Sequence, residues 1–337
     1  MSGQGAGEGQ GSARGSLEDV VEVINANEKF LLTTHEGPDG DALGSLLGMH
    51  ELLGYLGKDS VMFLAAKEFP LPSEYRHIPL ENVFHEAPAD LGDRVVVFLD
   101  CGNAERMPVD FLLEDGLAVV NLDHHHDNTD FGDTFFVDPG ASSTAEIVYR
   151  LARELDVTVT PLIATALYIG VVTDTGKFMY ESTSPETHEV AAELLRAGVD
   201  VDDVNSRVYE SLPLEKLALL GRALEKIRLD CDGRLVTTHI TSTDYEETGS
   251  GEEMTEGIVD HLRSIEGVEV AAVIRDQLAT DGSSRRISLR AAKPGVDVSR
   301  IARGFGGGGH VKAAGCSSEL GYEEIITRIC EELRGGS

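Results

Sequence analysis

Three stretches of the chain share one design. Phe30–Thr34 (FLLTT) runs into His35. Arg94–Asp100 (RVVVFLD) ends in a carboxylate. Leu117–Asp123 (LAVVNLD) runs straight into His124-His125-His126. Apolar runs of this length, bounded by turn residues, read as strands. They are apolar along their length instead of alternating, and helical patterns separate them. That combination argues for a parallel sheet covered on both faces, hence an α/β fold. Open sheets of this kind bind ligands at the carboxyl ends of their strands, and those ends carry the ionisable residues here.

In chain order, residues 1–16 are rich in Gly, Ser and Gln and read as a disordered tail. A first domain is expected over 17–199. Its helices are predicted at 17–29, Asp41–Leu56, Ser143–Leu155, Pro161–Thr173 and Pro185–Ala197, the last stopped at Gly198. Ser142, Ser143 and Thr144 precede a helix, with Glu146 at capping-box spacing from Ser143, and read as its cap. Residues 200–224 are read as a linker plus helix, with Asp200–Ser211 a polar crossover. A second, smaller α/β domain is expected over 225–335. It should hold two hairpins (227–230 with 235–240, and 268–275 with 286–292, turning at Asp281-Gly282). Helices are predicted at 252–265, 298–305 and 322–333.

The chain has 337 residues and a formal charge of −31. Such a surface repels long polyanions. A nucleic-acid substrate should therefore be short and held in a local basic pocket, which argues against long duplexes as partners. No apolar run reaches a membrane span, and the N-terminus lacks the pattern of a secretory signal. The four cysteines form no CxxC pair and do not read as a disulfide framework, so a reducing cytoplasm is the expected location.

Four segments carry candidate metal ligands: His35, Asp39 and Asp41; then Asp100; then Asp123, His124 and His125; then Asp174. A strand-end acid alone is commonplace, but each of these follows a separate apolar element toward the same edge. Carboxylate oxygen with imidazole nitrogen suits Mn²⁺ or a similar divalent ion. Two such ions can clamp the attacking and leaving oxygens of a displacement at phosphorus. They need a bridging carboxylate, and Asp100 is the choice for it.

The stretches HEGPDGDALGS, VFLDCG, LDHHHDN and GVVTDTGKF resemble, in order and spacing, the four motifs of the DHH-family phosphoesterases. GFGGGGHVKAAG at Gly304–Gly315 resembles the DHHA1 domain that accompanies them, and the whole is most similar to the nanoRNase/pAp-phosphatase branch. The resemblance implies a parallel-sheet DHH domain followed by a smaller DHHA1 domain. It also implies one ion on His35, Asp39 and Asp100 and another on Asp41, Asp100, His124 and Asp174. Asp123 would orient a histidine from behind, and His125 would face the scissile phosphate. Mn²⁺ is the expected ion, with Mg²⁺ or Co²⁺ as alternatives.

In the second half, Gly306–Gly309 offers backbone that can approach an anion closely. The resemblance implies that Gly307, Gly308, Gly309 and His310 bind a terminal phosphate or nucleotide. Arg290, in the motif SLRA, is a second phosphate clamp through its planar fork. Arg263, Arg275, Arg285 and Arg286 add positive charge in an order the sequence does not rank. The implied reaction is metal-dependent hydrolysis of short oligoribonucleotides and of 3′-phosphoadenosine 5′-phosphate (pAp). Cyclic- or linear-dinucleotide phosphodiesterase, family II-type pyrophosphatase, RecJ-like single-strand exonuclease and a nucleotide-binding module without turnover are the rivals. A homodimer is one assembly left open.

Overall fold

A computed structural model describes residues 13–80, 83–107, 109–114, 116–280, 283–309 and 311–335. The chain divides into two compact units, Met1–Ser211 and Leu212–Ser337.

The first unit is built on strands β1 (Arg14–Gly15), β2 (Lys29–Thr33), β3 (Asp59–Phe63), β4 (Val83–Phe84), β5 (Val95–Leu99), β6 (Val119–Asp123) and β7 (Thr134–Val137). They form one sheet in the order β1-β7-β6-β5-β2-β3-β4. Every pair is parallel except β1 on β7. Successive residues of the central strands point to opposite faces and both faces are covered. Phe30, Leu32, Val95, Val97 and Leu99 enter one core; Leu31, Val96 and Phe98 enter another with Met107 and Leu112. This is why the runs are apolar without alternation. The helices are α1 (Leu17–Ala26), α2 (Gly40–Tyr55), α3 (Thr144–Glu154), α4 (Pro161–Asp174), α5 (Pro185–Arg196) and α6 (Val201–Asn205).

Helix α2 is buried along most of its length and packs against α4 through glycines. A Cβ on Gly44 would lie 2.4 Å from the Ala166 carbonyl oxygen, and one on Gly170 would lie 2.5 Å from the Ala145 Cβ and 2.7 Å from Asp41 Oδ1. Close approach of the helices is what sets Asp41 beside the end of α4. Gly170→Ala is therefore expected to destabilise the first unit by about 1–3 kcal/mol, the usual cost of overpacking. It should also move the candidate ligand Asp41 and so weaken retention of a divalent ion there. A thermal melt and metal analysis check this, and a variant with unchanged melting temperature and metal content would refute it.

The second unit adds α7 (Leu214–Glu225), β8 (Arg228–Asp230), β9 (Leu235–Ile240), α8 (Ser242–Thr248), α9 (Ile258–Arg263), β10 (Val270–Asp276), β11 (Arg285–Ala291), α10 (Val298–Arg303), β12 (Gly308–Gly309), β13 (Ala313–Ser318) and α11 (Tyr322–Gly335). Its sheet order is β12-β13-β11-β10-β9-β8, with only β9 and β10 parallel. The hairpins β8–β9 and β10–β11 form as expected, though the Asp281-Gly282 turn lies outside the described residues. α10 and α11 cover one face with Ile274, Ile287 and Leu289; α7, α8 and α9 border the other with Val236, Val273 and Leu262.

Four expectations need correction. Arg14–Gly15, read as tail, adds a strand to β7; residues 1–12 lie outside the described residues. Asp200–Ser211, read as a polar crossover and linker, packs as part of the first unit. It is helical through α6 and a π turn at Ser206–Glu210, and it buries Val204 and Val208 in the first unit's core. The helix expected at 252–265 is broken, because Gly257 takes φ 84° between a 3-10 turn at Glu252–Thr255 and α9. Finally, Cys231 and Cys330 form a disulfide with Cα atoms 5.7 Å apart, joining the turn after β8 to α11. The chain separation of 99 residues hid this pairing. Closing so long a loop removes unfolded-chain entropy worth about 4–5 kcal/mol in the simplest treatment.

Candidate active site

The four candidate segments meet at the carboxyl ends of β2, β5 and β6 and at the last residue of α4. Three groups of ligand atoms gather there, each within 4.8 Å of one another: His35, Asp39 and Asp100; Asp41, His124 and Asp174; and Asp100, His124 and His125.

Asp39 caps α2, its Oδ1 accepting from the backbone N–H groups of Asp41 (3.0 Å) and Ala42 (3.1 Å). That fixes the side chain and leaves Oδ2 for a ligand. Asp41 is almost wholly buried in the first turn of α2. Its Oδ2 accepts from Thr144 N (2.7 Å), and its Oδ1 accepts from Ala145 N (2.9 Å) and Ser45 Oγ (3.2 Å). The amino end of α3 thus holds this carboxylate with its free N–H groups. Ser143 caps α3 through Glu146 N, as read from the sequence.

Asp100 follows β5 with φ 57°, a left-handed conformation that Asp and Asn tolerate better than most residues. Its Oδ1 lies 3.5 Å from His124 Nε2 and accepts from Thr144 Oγ1 (3.1 Å). Its Oδ2 lies 3.5 Å from His35 Nε2. His35 donates Nδ1–H to the Glu36 carbonyl (2.8 Å), which turns Nε2 toward the acids. One carboxylate therefore has an oxygen in each of two ligand groups.

His124 Nε2 is 3.5 Å from Asp174 Oδ2 and 4.0 Å from Asp41 Oδ2. These separations are long for hydrogen bonds and leave room for a shared cation. Burial, then Asp100 and Asp174, push Asp41 well above its ordinary value. Burial also lifts Asp174 to about 6, against His124 and with help from Asp39 and Asp100. Asp174 also sits at the carboxyl end of α4, where the helix dipole disfavours an anion. Burial works against charged Asp100, yet the His35 hydrogen bond and the two nearby imidazoles hold its carboxyl far below the usual range. Crowded buried carboxylates with interleaved imidazoles are a donor set that divalent cations would stabilise, so the residues fit the group expected of them.

His124 links this site to pH. Burial opposes its charge, but Asp174, Asp100 and Asp41 outweigh burial and raise it to about 10. A histidine must lose its proton to bind a metal. Its proton must leave when a cation binds, so binding of a divalent ion is expected to release protons at pH 8. Below pH 6, Asp174 must also ionise, so the release grows and the affinity falls. Titration calorimetry in two buffers of different ionisation heat measures this, and an apparent heat independent of buffer at pH 8 would contradict it.

His125 is oriented from both sides. Its Nδ1–H donates to Asp123 Oδ1 (2.6 Å). Asp123 in turn accepts from Asn128 Nδ2, which also bonds Asn121 Oδ1 (2.8 Å). On the other side, Arg106 Nη1 lies 3.0 Å from His125 Nε2. An arginine can only donate, so Nε2 accepts there. Arg106 was not singled out by its sequence. It sits in a 3-10 turn capped by Asn103, and its carbonyl accepts from Glu36 N (2.9 Å), which ties it to the His35 loop. Thr144 and Asn128 were likewise missed as parts of the site, since their contacts join residues far apart in the chain. Cys101, beside Asp100, is buried, its thiol pushed up to about 12 by burial, and its Sγ donates to the Asn103 carbonyl. It is no ligand.

The remaining candidates are in the second unit. Arg290 donates to the Leu289 carbonyl (3.3 Å) and has only long contacts to Asp260 (3.8 Å) and Glu256 (4.0 Å). Gly308 and Gly309 pair with β13, and Gly309 takes φ 134°. A Cβ on Gly307 would meet the Gly315 carbonyl oxygen at 2.2 Å, so this glycine serves close packing. His310 lies outside the described residues.

Comparison with known proteins identifies two domains. Residues 29–171 match the DHH family, N-terminal domain, and residues 237–335 match the DHHA1 domain. The chain is 33% identical to the bifunctional oligoribonuclease and PAP phosphatase NrnA of Thermus thermophilus, over 93% of each chain. It is 26% identical to the protein of the same name from Bacillus subtilis, over 89% of this chain and 92% of that one. Among solved structures, an exopolyphosphatase-related protein from Bacteroides fragilis superposes with a TM-score of 0.83 at 25% identity, covering 95% of this chain and 96% of that one. No helix among the described residues is long and apolar enough to cross a membrane.

Proposed function

Because the chain belongs to the DHH family and carries a DHHA1 domain, we propose that it is a metal-dependent phosphoesterase. Its substrates are short oligoribonucleotides and pAp, the latter giving AMP and phosphate. Water adds to phosphorus, the P–O bond to the ribose oxygen breaks, and that oxygen takes up a proton. His35, Asp39 and Asp100 would hold one divalent ion, and Asp41, Asp100, His124 and Asp174 a second. Such ions supply positive charge for the phosphoryl group and acidify water. The chain's own residues do the rest. Asp123 and Asn128 keep His125 in one orientation, and Arg106 beside it offers a planar cation to an incoming phosphate oxygen. Substrate binding by Arg290, Gly307, Gly308, Gly309 and His310 belongs to the same reading.

The observation that carries the proposal is Asp100, whose two oxygens face His35 and His124 separately. Phosphate release from pAp, and mononucleotide release from di- to pentaribonucleotides, should appear with Mn²⁺ and vanish with a chelator. Cyclic di-AMP and single-stranded DNA serve as competing substrates. If no phosphoester is cleaved with Mn²⁺, Mg²⁺ or Co²⁺, the reading fails and a binding module remains.

A further inference from the structure

The second unit presents an arginine pattern that its fold does not require. Arg286 on β11 is directly opposite Arg275 on β10. Like charges paired across strands are unfavourable. They are the more unexpected in a chain with 59 acidic and 28 basic residues, where an acidic partner is easily supplied. Neighbouring arginines have such partners: Arg228 binds Glu323 and Arg234 binds Glu269. Arg286 is exposed, and among the described residues no carboxylate lies within ion-pair distance of it. Arg275 bonds Thr255, while its buried Nε lacks a partner.

Register shows what surrounds this pair. Arg286, Ser288 and Arg290 share one face of β11, and across from them on β13 stand Ser317, Gly315 and Ala313. Gly308 of β12 faces Gly315 at the sheet edge. The Cα atoms of the two arginines are thus about 14 Å apart along β11, at roughly 3.4 Å per residue. Between them lies a floor of Ser288, Gly315 and Gly308. The guanidinium of Arg286 reaches over Gly315: its Nη2 is 3.8 Å from where a Cβ there would lie. Small residues let that guanidinium lie along the sheet over Gly315, where it can meet an anion of an extended chain whose other end reaches Arg290.

The geometry points to a second phosphate position at Arg286, backed by Arg275, that engages the phosphodiester backbone of an oligoribonucleotide beyond the group held near Arg290. It rests on the phosphoesterase reading and deepens it, because it separates oligonucleotides from pAp. A substrate of several nucleotides reaches both positions, whereas pAp occupies only one.

The test compares wild type with Arg286→Ala, Arg286→Gln and the charge-keeping Arg286→Lys, using pAp and a pentaribonucleotide in Mn²⁺ at two salt concentrations. Arg286→Ala and Arg286→Gln should raise KM for the pentamer about tenfold, the loss of one charge-assisted contact. Its kcat, and both constants for pAp, should stay within about twofold of wild type. The salt dependence of pentamer binding should fall by about 0.7 in log–log slope, the share of one single-strand phosphate. Arg286→Lys should recover most of the loss. Equal losses on pAp and pentamer, or no loss on either, would overturn the proposal. If wild type cleaves nothing, the phosphoesterase reading fails by itself. Fluorescence anisotropy of a labelled pentaribonucleotide on the metal-free full chain still decides whether Arg286 binds a backbone: weaker binding by Arg286→Ala supports it, and unchanged binding refutes it.

Discussion

On the proposed two-ion reading, Asp100→Asn is expected to lower turnover of pAp by more than about 10³-fold and to cut the bound divalent ion, assayed as Mn²⁺, to half of wild type or less. The argument is geometric. Asp100 Oδ1 faces His124, Oδ2 faces His35, and both imidazoles approach at 3.5 Å. A carboxylate that serves both ligand groups takes a donor from each when it is changed. Asparagine is the right replacement, because the residue sits at φ 57°. Asn tolerates that conformation, whereas alanine would add a backbone cost of about 1–2 kcal/mol and blur the result. Asn also keeps an oxygen that can accept from Thr144, so the fold should survive. Removing the negative charge relieves some crowding with Asp41 and Asp174, but it takes away more, because His35, His125 and His124 stabilise that charge in the fold. The metal-free variant is therefore expected to melt below metal-free wild type at neutral pH, as well as losing activity. Elemental analysis beside kinetics reads both effects. Full metal content with full loss of activity would assign Asp100 to chemistry without bridging.

His125→Ala should reduce kcat by about 10²–10³-fold while leaving the metal content near wild type. The ring is held by Asp123 on Nδ1 and faced by Arg106 on Nε2. Neither contact is made to a proposed metal ligand. Yet His125 Nδ1 lies 3.5 Å from Asp100 Oδ1, and Asp100, His124 and His125 form one of the three ligand groups in the structure. Loss of an ion in His125→Ala would therefore reassign the histidine as a ligand. Arg106→Ala should cost about 10²-fold in kcat/KM, and the double variant should cost less than the product of the two. Two residues that share a hydrogen bond and one phosphate act as a unit. Strict additivity, with coupling below about 0.5 kcal/mol, would mean that they act independently.

Much of the candidate site was legible because its proposed ligands are tied to local signals. Asp39 and Asp41 lie at a helix start, Asp100 and Asp123 at strand ends, and Asp174 at a helix end. These are places where apolar periodicity breaks off, and periodicity is read from the chain alone. Arg106 carries no such signal. It lies in a short turn among other polar residues, and only the fold brings it to His125, 19 positions away. Thr144 meets Asp100 across 44 positions and Asp41 across 103. The Cys231–Cys330 pair is a similar case, as spacing gave no hint of it. Helix 252–265 failed for a different reason: its apolar pattern was right, but Gly257 takes a left-handed conformation that an apolar count does not see.

The sequence alone determined the α/β class, the covered parallel sheet and the identity of the acids and imidazoles. Burial preference and backbone dihedrals act over a few residues, so they leave their mark in local pattern. Tertiary structure alone decided which oxygen of Asp100 faces which histidine, that the start of α3 cradles Asp41, and that Arg286 and Arg275 stand opposite each other. Those contacts depend on how whole helices and strands pack. Glycine-lined approach and strand register set them, and neither is encoded by any one residue's neighbours in the chain.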